Sequence, residues 1–395
     1  MTRRLRLGIA ALGRAFTLML PALAHHPRIR VVAAAEPHAA ARRRFAVDFN
    51  AAQYGTIEEL LADPQVEAIY LATPHQHHAE HAILAAQAGK HVLVEKPMAL
   101  SLAEAQAMIT AASRAGVVLM LGHSHGQDGP VRHARRLIAE GRFGAPRLIT
   151  ALNCTDFLWR PRRPEELDTA QGGGVVFSQA AHQLDVIRVL CGGRLRSLRA
   201  QTFAWDAARP TEGAYAAFLA FEGGAATATY SAHGRYDSDA LQGWVGELGM
   251  PKAATTPGTA RRRISGMTRT EEIAAKLVRG YGGTDDGTGL PPAQSPAFHN
   301  HFGFVLVQCD RADLRITAEG VEAHGDDGLE FHRTPLPTLP RAEVLDEFAD
   351  AVLQSVPPRH DGAWGMATLE ACLALLDSAR QGREIGLHHQ TGFRD

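Results

Sequence analysis

The sequence predicts an α/β protein: an N-terminal parallel sheet flanked by helices, then a C-terminal α/β domain built on a large, mostly antiparallel open sheet. Three observations carry that expectation. Up to residue 122, short apolar runs alternate with helix-length segments, the rhythm of βαβ units and right-handed crossovers. Beyond residue 122 the rhythm gives way to alternating or apolar runs joined by glycine-containing turns, as antiparallel strands require. At 395 residues the chain also exceeds the size at which one core stops growing, so two domains are expected, 1–122 and 123–395.

The elements follow in order. "LRLGIAAL" (5–12) reads as the first strand and "RAFTLMLPALAHH" (14–26) as a helix that Pro21 should disturb. "RIRVVAAAE" (28–36) and "VEAIYLAT" (66–73) are further strands, with a helix over 38–49 between them. Thr56 with Glu59, and Ser101 with Glu104, are capping-box pairs that open helices. Gly89 suits a left-handed helix end, "HVLV" (91–94) is a buried strand, and "VVLMLG" (117–122) closes the series. In the second half, 130–144 reads as a helix and 146–155 as a strand. "GGGVVFSQAAHQLDVIRVLCGG" (172–193) reads as a glycine turn leading into a helix. Residues 249–296, rich in Gly, Pro, Thr and Arg, form a long excursion, expected to act as a lid or an oligomer contact. Two helices within 341–382 close the chain as part of the second domain.

Composition narrows the function classes. A formal net charge of −1 gives no general attraction to nucleic acid or to an anionic membrane. Four scattered cysteines form neither a disulfide framework nor a zinc knuckle, and no run approaches a membrane span. A cytoplasmic location is therefore expected.

The chemistry-bearing residues begin at the first strand–helix turn. Gly8, Ala11 and Gly13, followed by Arg14, Ala15 and Phe16, make a glycine-poor version of the turn that lets a backbone approach a pyrophosphate at a helix N-terminus. Glu36 ends the second strand 23 residues after Gly13, the place for a carboxylate on the adenosine ribose hydroxyls. A carboxylate there repels a 2′-phosphate and favours NAD, while Arg42, Arg43 and Arg44 keep NADP open. Thr73, Pro74, His75 and His78 form the loop after the third apolar strand, expected beside a nicotinamide. The clustered histidines lack converging ligands from elsewhere, so no metal is expected. Glu95, Lys96 and Pro97 abruptly end the strand "HVLV". Proline stops the ladder, and a lysine at the carboxyl end of a parallel strand stands where open α/β sheets keep their ligands.

Taken together, Gly8…Gly13, Glu36, Thr73-Pro74…His78, Glu95-Lys96-Pro97 and Gly172-Gly173-Gly174…His182…Asp185 closely resemble the Gfo/Idh/MocA family of nicotinamide-dependent oxidoreductases over nearly the whole chain. The resemblance implies a Rossmann domain plus an open-sheet α/β domain, and a homodimer or homotetramer. It also implies Lys96 on the reacting hydroxyl and His182 as acid/base. One departure stands out: the acid often found four residues before the histidine is Ser178 here, with Asp185 one turn beyond His182 as a substitute.

For the substrate, Trp159, Arg160, Arg162 and Arg163 lie just ahead of the glycine turn. Arginine forks suit planar carboxylates and an aromatic beside them suits a flat ring. His123 and His125 add polar contacts after the last parallel strand. Within the family the chain looks most like the phthalate 4,5-cis-dihydrodiol dehydrogenases. That implies NAD-dependent oxidation of a carboxylated cyclic diol to a catechol. A sugar, inositol or sugar-acid dehydrogenase is the alternative within the family, and a non-catalytic nicotinamide-binding regulator the alternative outside enzymes.

Overall fold

The computed structural model describes residues 3–283 and 289–395. Residues 284–288 of the expected excursion lie outside the described residues. The chain divides into two compact units. One contains 1–122 and takes back 269–295 and 338–366; the other contains 123–268, 296–337 and 367–395.

The first unit begins as the alternating pattern requires. Its strands are β1 (Leu5–Ala10), β2 (Ile29–Ala35), β3 (Ala52–Tyr54), β4 (Ala68–Leu71), β5 (His91–Val94) and β6 (Leu119–Leu121). The helices between them are α1 (Arg14–His25), α2 (Ala39–Phe49), α3 (Ile57–Ala62), α4 (His78–Gln87) and α5 (Leu102–Ala115). The strands pair in parallel in the order β3-β2-β1-β4-β5-β6. β4 is buried along its whole length, and Val92, Leu93 and Val94 of β5 are fully buried, as strands covered on both faces must be. Both capping boxes form: Thr56 and Ser101 accept from the backbone N–H of Glu59 and Glu104. Each is worth about 1 kcal/mol. α1 runs through Pro21 without a break in assignment, and the three-residue β3 is an element the sequence pattern did not announce.

The second unit opens with α6 (Gly129–Ala139) and β7 (Pro146–Cys154). A π-helical turn, Val176–Ala180, runs directly into α7 (Ala181–Cys191). There follow β8 (Leu195–Phe203), β9 (Ala214–Phe221), β10 (Ala225–Ser231), α8 (Thr259–Ile264), β11 (Phe304–Cys309), β12 (Ala312–Thr317), β13 (Gly320–Gly325) and β14 (Gly328–Arg333), with β15 (Ile385–Gly386) near the end. They make a nine-stranded sheet in the order β14-β13-β12-β11-β7-β10-β9-β8-β15. Every pairing is antiparallel except β7 with β10, which run parallel with Cys154 opposite Ser231. The carboxyl ends of these two central strands therefore emerge side by side. The sheet alternates as expected of one solvated face: along β10, Ala226, Ala228 and Tyr230 are buried between half-buried neighbours.

The returning segments divide differently from the expectation that 341–382 belongs wholly to the second domain. In α10 (Ala342–Leu353), Leu345 and Phe348 are fully buried in one core with Leu5, Leu7, Phe16 and Ile29 of the first unit. α11 (Gly362–Gln381) carries the chain from the first unit into the second. The 249–296 excursion is likewise shared. α8 belongs to the second unit, whereas α9 (Arg269–Val278) and Tyr281 belong to the first, where Tyr281 packs edge-on against Phe16 with 5.3 Å between ring centroids. Hydrophobic period alone cannot assign such segments, because either core would bury the same apolar stripe.

Candidate active site

The dinucleotide-binding features gather at the carboxyl ends of β1 and β2. Gly13 is the N-cap of α1 without a side-chain cap, and a Cβ built on it would meet nothing within 4 Å. The open helix terminus, with its uncapped N–H groups, has the geometry an anionic pyrophosphate needs. Gly8 sits in a tighter place, since a Cβ there would come within 3.0–3.2 Å of the Ile69, Val66 and Leu60 side chains. Ala11, at the expected middle-glycine position, holds the left-handed φ of 73° that normally selects glycine. Glu36 sits at the end of β2, with Oε2 accepting from the Leu12 N–H (2.8 Å) and Oε1 from the His38 N–H (2.9 Å). It thus fixes the phosphate turn as well as placing a carboxylate beside it. Arg14 and Ala15 are half-buried at the start of α1, and Phe16 turns into the core. These residues fit NAD.

The loops after β4 and β5 are tied together. His78, fully buried, has Nε2 2.8 Å from the Thr73 carbonyl and Nδ1 2.8 Å from the Pro97 carbonyl. Burial lowers its pKa, so the neutral ring donates to one of the two oxygens and lies against the other. Glu95 accepts a 2.6 Å hydrogen bond from the buried Tyr70 hydroxyl, whose pKa burial pushes well up, so the phenol stays a donor. Lys96 is half-buried between these anchors, and the Lys96–Pro97 peptide is cis. The neighbouring His77, Glu80 and His81 offer ligand atoms within 4.8 Å of one another, but His77 and Glu80 are exposed. We assign no metal.

In the second unit, the glycine turn and α7 place His182. Gly174 has φ of 76°, and a Cβ there would fall 2.1 Å from a Glu212 carboxylate oxygen, so only glycine fits. Glu212, which the sequence reading gave no role, accepts from the Val176 N–H (3.3 Å) and from the Thr169 and Thr211 hydroxyls, locking the turn beneath α7. Burial raises its pKa, and the hydrogen bonds oppose that shift. Ser178 donates to the Gly174 carbonyl (2.6 Å), a structural bond within the π-turn.

His182 stands edge-on to His125 at 4.8 Å and 5.3 Å from Phe302 between ring centroids. His125 Nδ1 is 3.0 Å from Asp128 Oδ2, a carboxylate–imidazole pair lying directly against His182. Asp185 lies one turn further along α7. It is fully buried with Oδ1 4.0 Å from His123 Nδ1, and it also acts electrostatically on the buried Arg188. Asp128 thus brings a carboxylate to the imidazole that packs against His182, and spacing could not single it out because it lies on a different element.

The arginine cluster looks different in three dimensions. Arg160 pairs with Asp156 (2.7 Å) and Glu247 (3.1 Å). Arg162 donates to the Phe157 carbonyl (2.7 Å), lies 3.6 Å over the Phe157 ring and contacts Glu166 (3.4 Å). Arg163 is 3.0 Å from Glu165. These forks already face acids or carbonyls of the chain itself. Trp159 is buried, with the guanidiniums of Arg261 and Arg209 at 3.7 and 5.3 Å from its ring centroid.

Comparison with known proteins places these features. Residues 5–123 match the model for the oxidoreductase family with an NAD-binding Rossmann fold, and residues 131–245 match the Gfo/Idh/MocA C-terminal domain. The chain belongs to the Gfo/Idh/MocA oxidoreductase family. It is 45% identical over 380 residues, 95% of each chain, to a 1-carboxy-3-chloro-3,4-dihydroxycyclohexa-1,5-diene dehydrogenase of Comamonas testosteroni. A solved Bordetella bronchiseptica RB50 structure, assigned provisionally as a dehydrogenase, superposes with a TM-score of 0.89 at 38% identity, covering 97% of this chain and 100% of that one. A trans-1,2-dihydrobenzene-1,2-diol dehydrogenase of Macaca fascicularis is 32% identical over 48% of this chain and 57% of its own. The chain is thus an NAD-binding oxidoreductase of this family. Among the described residues no helix is long and apolar enough to cross a membrane.

Proposed function

We propose that this protein oxidises a carboxylated cyclohexadiene cis-diol to the corresponding catechol, with phthalate 4,5-cis-dihydrodiol as the substrate to test first. The observation that carries the reading is the 45% identity, across nearly the full length of both chains, to a dehydrogenase named for a carboxylated dihydroxycyclohexadiene. Bound NAD supplies the hydride acceptor. Lys96, held between Tyr70-anchored Glu95 and His78-anchored Pro97, hydrogen-bonds the reacting hydroxyl and, as the free amine, takes up its proton as the carbinol C–H bond breaks and the hydride goes to NAD. The ketone that results is one tautomer away from an aromatic catechol, so ring aromaticity drives the overall oxidation. His182 moves the tautomerisation proton, and Asp128, through His125, favours the charged form that His182 passes through.

Incubating the purified protein with NAD and the phthalate cis-4,5-dihydrodiol should give NADH and catechol in equal amounts, with myo-inositol and glucose inert. Turnover of a polyol but not of the diol would replace this reading with a sugar or inositol dehydrogenase. Cofactor binding without turnover of either would favour a nicotinamide-binding regulator.

A further inference from the structure

The proposed substrate carries a carboxylate, and Arg160, Arg162 and Arg163 each contact an acid of the chain, as Arg261 contacts Asp206; what sets Arg261 apart is the set of unpartnered polar atoms on the side chains beside it. A second group of polar side chains in the same unit has unmet hydrogen-bonding capacity. Trp159 and His233 are 7% and 5% exposed. Among the described residues, Trp159 Nε1, both ring nitrogens of His233 and Nε of Arg261 are buried atoms without a hydrogen-bond partner. Each such group normally costs a folded protein stability, and unmet donors gathered in one place call for an explanation.

They are gathered by Arg261. Its guanidinium stacks 3.7 Å over the Trp159 ring, its Nη1 donates to Asp206 Oδ2 (2.8 Å), and its Nη2 reaches the His233 carbonyl at 3.5 Å. Arg209, 3% exposed, approaches the same indole at 5.3 Å. The His233 ring lies 3.9 Å from the exposed Trp205 ring in a stacked pair, and a Cβ on Gly213 would fall 2.7 Å from His233 Nε2.

The fold brings this cluster to one end of the sheet's central strands. Trp159 and His233 follow the carboxyl ends of β7 and β10, the one parallel pair. From residues at the ends of the same two strands, a series of contacts leads to His182. The Thr155 and Tyr230 hydroxyls are 2.7 Å apart, Tyr230 stacks on Phe302 at 6.1 Å, and Phe302 lies 5.3 Å from His182.

We propose that Trp159, His233 and Arg261, with Arg209 near the indole, form the carboxylate-recognition element of the substrate site, and that the excursion supplies its key cation through α8. The donor set fits that ligand class. An indole N–H and a guanidinium N–H can only donate, so they seek an acceptor, and a carboxylate offers two oxygens in the plane of an aromatic ring. Burial and the nearby Arg261 lower the His233 pKa to about 4, so the ring is neutral at pH 7. A neutral imidazole gives one donor to the carboxylate and keeps one acceptor for a hydroxyl. A sugar, which presents hydroxyls all round, would not need this bias toward donors.

The inference rests on the proposed function, and the test separates the two. The kcat/KM ratio for the phthalate dihydrodiol over the uncarboxylated cis-dihydrodiol of benzene is measured in the full-length protein with NAD, for wild type, R261Q and W159F. Phthalate itself is titrated calorimetrically into the same three proteins. R261Q should lower the ratio, and weaken phthalate binding, by about tenfold or more, the loss typical of one charge-assisted bond. W159F, which removes the N–H together with part of the indole face, should lower both by about threefold to tenfold. Equal loss on both diols, or phthalate binding that neither substitution weakens in proteins with native circular dichroism, overturns the recognition element. If the wild type turns over neither diol, the proposed function falls. Phthalate binding then decides the recognition element alone, and no binding to the wild type rejects it.

Discussion

Replacing Glu347 with Gln should destabilise the first unit in a strongly pH-dependent way. Glu347, 8% exposed on α10, accepts from the backbone N–H groups of Arg359 (2.6 Å) and His360 (2.9 Å), and its Oε2 lies 3.3 Å from His360 Nδ1. His360 in turn accepts at its carbonyl from the Leu121 N–H, so the pair fastens the segment before α11 to the end of β6. Burial alone would raise the Glu347 pKa. The His360 ring, the two N–H donors and the Arg359 charge override burial and pull it down to about 2, from an ordinary 4.5. A carboxyl whose folded pKa is depressed contributes stability above its unfolded pKa and loses it as pH falls through the folded value. Here that contribution is about 3 kcal/mol at pH 7, from a difference of about 2.5 at about 1.4 kcal/mol per pKa unit. It falls to about half that at pH 3. Urea unfolding of wild type and E347Q, monitored by fluorescence across pH 3–7, should show a gap of about 3 kcal/mol at neutral pH that closes as the pH drops. A gap that stays constant from pH 7 to pH 3 would show that Glu347 acts by packing alone, and the electrostatic account would be wrong.

Other consequences follow from the site. Lys96→Ala should cut kcat by about a hundredfold or more while leaving NAD affinity, read by protein fluorescence, within about threefold; equal turnover would remove Lys96 from the chemistry. Tyr70→Phe frees Glu95 from its 2.6 Å donor and should cost about 1–3 kcal/mol of stability in chemical denaturation, with lower kcat. Ala11→Gly relieves a left-handed φ of 73° that costs an alanine about 1–2 kcal/mol, partly offset by glycine's greater unfolded entropy, so a thermal melt should rise slightly or hold. Asp128→Asn keeps the shape beside His125 but removes the charge, and should lower kcat about tenfold with KM for NAD unchanged. A change confined to KM would make Asp128 merely structural.

How much of this was legible beforehand differs element by element. The parallel sheet, both capping boxes, the anchoring of Glu95-Lys96-Pro97 at a strand end and the antiparallel second sheet are local in origin. They depend on apolar period, on Ser or Thr three residues before Glu, and on a proline that cannot donate to a ladder. The sequence therefore determined the two sheets, the family and the NAD turn by itself, because each is written in neighbouring residues. Only the tertiary structure decided which acids face Arg160, Arg162 and Arg163, and that Asp128 stands against His125 beside His182. It alone also gave α10 to the first core and set Arg261, about a hundred residues along the chain, on the face of Trp159. Charge pairing and stacking are set by distance in space, and spacing along a chain carries no information about which distant side chain arrives.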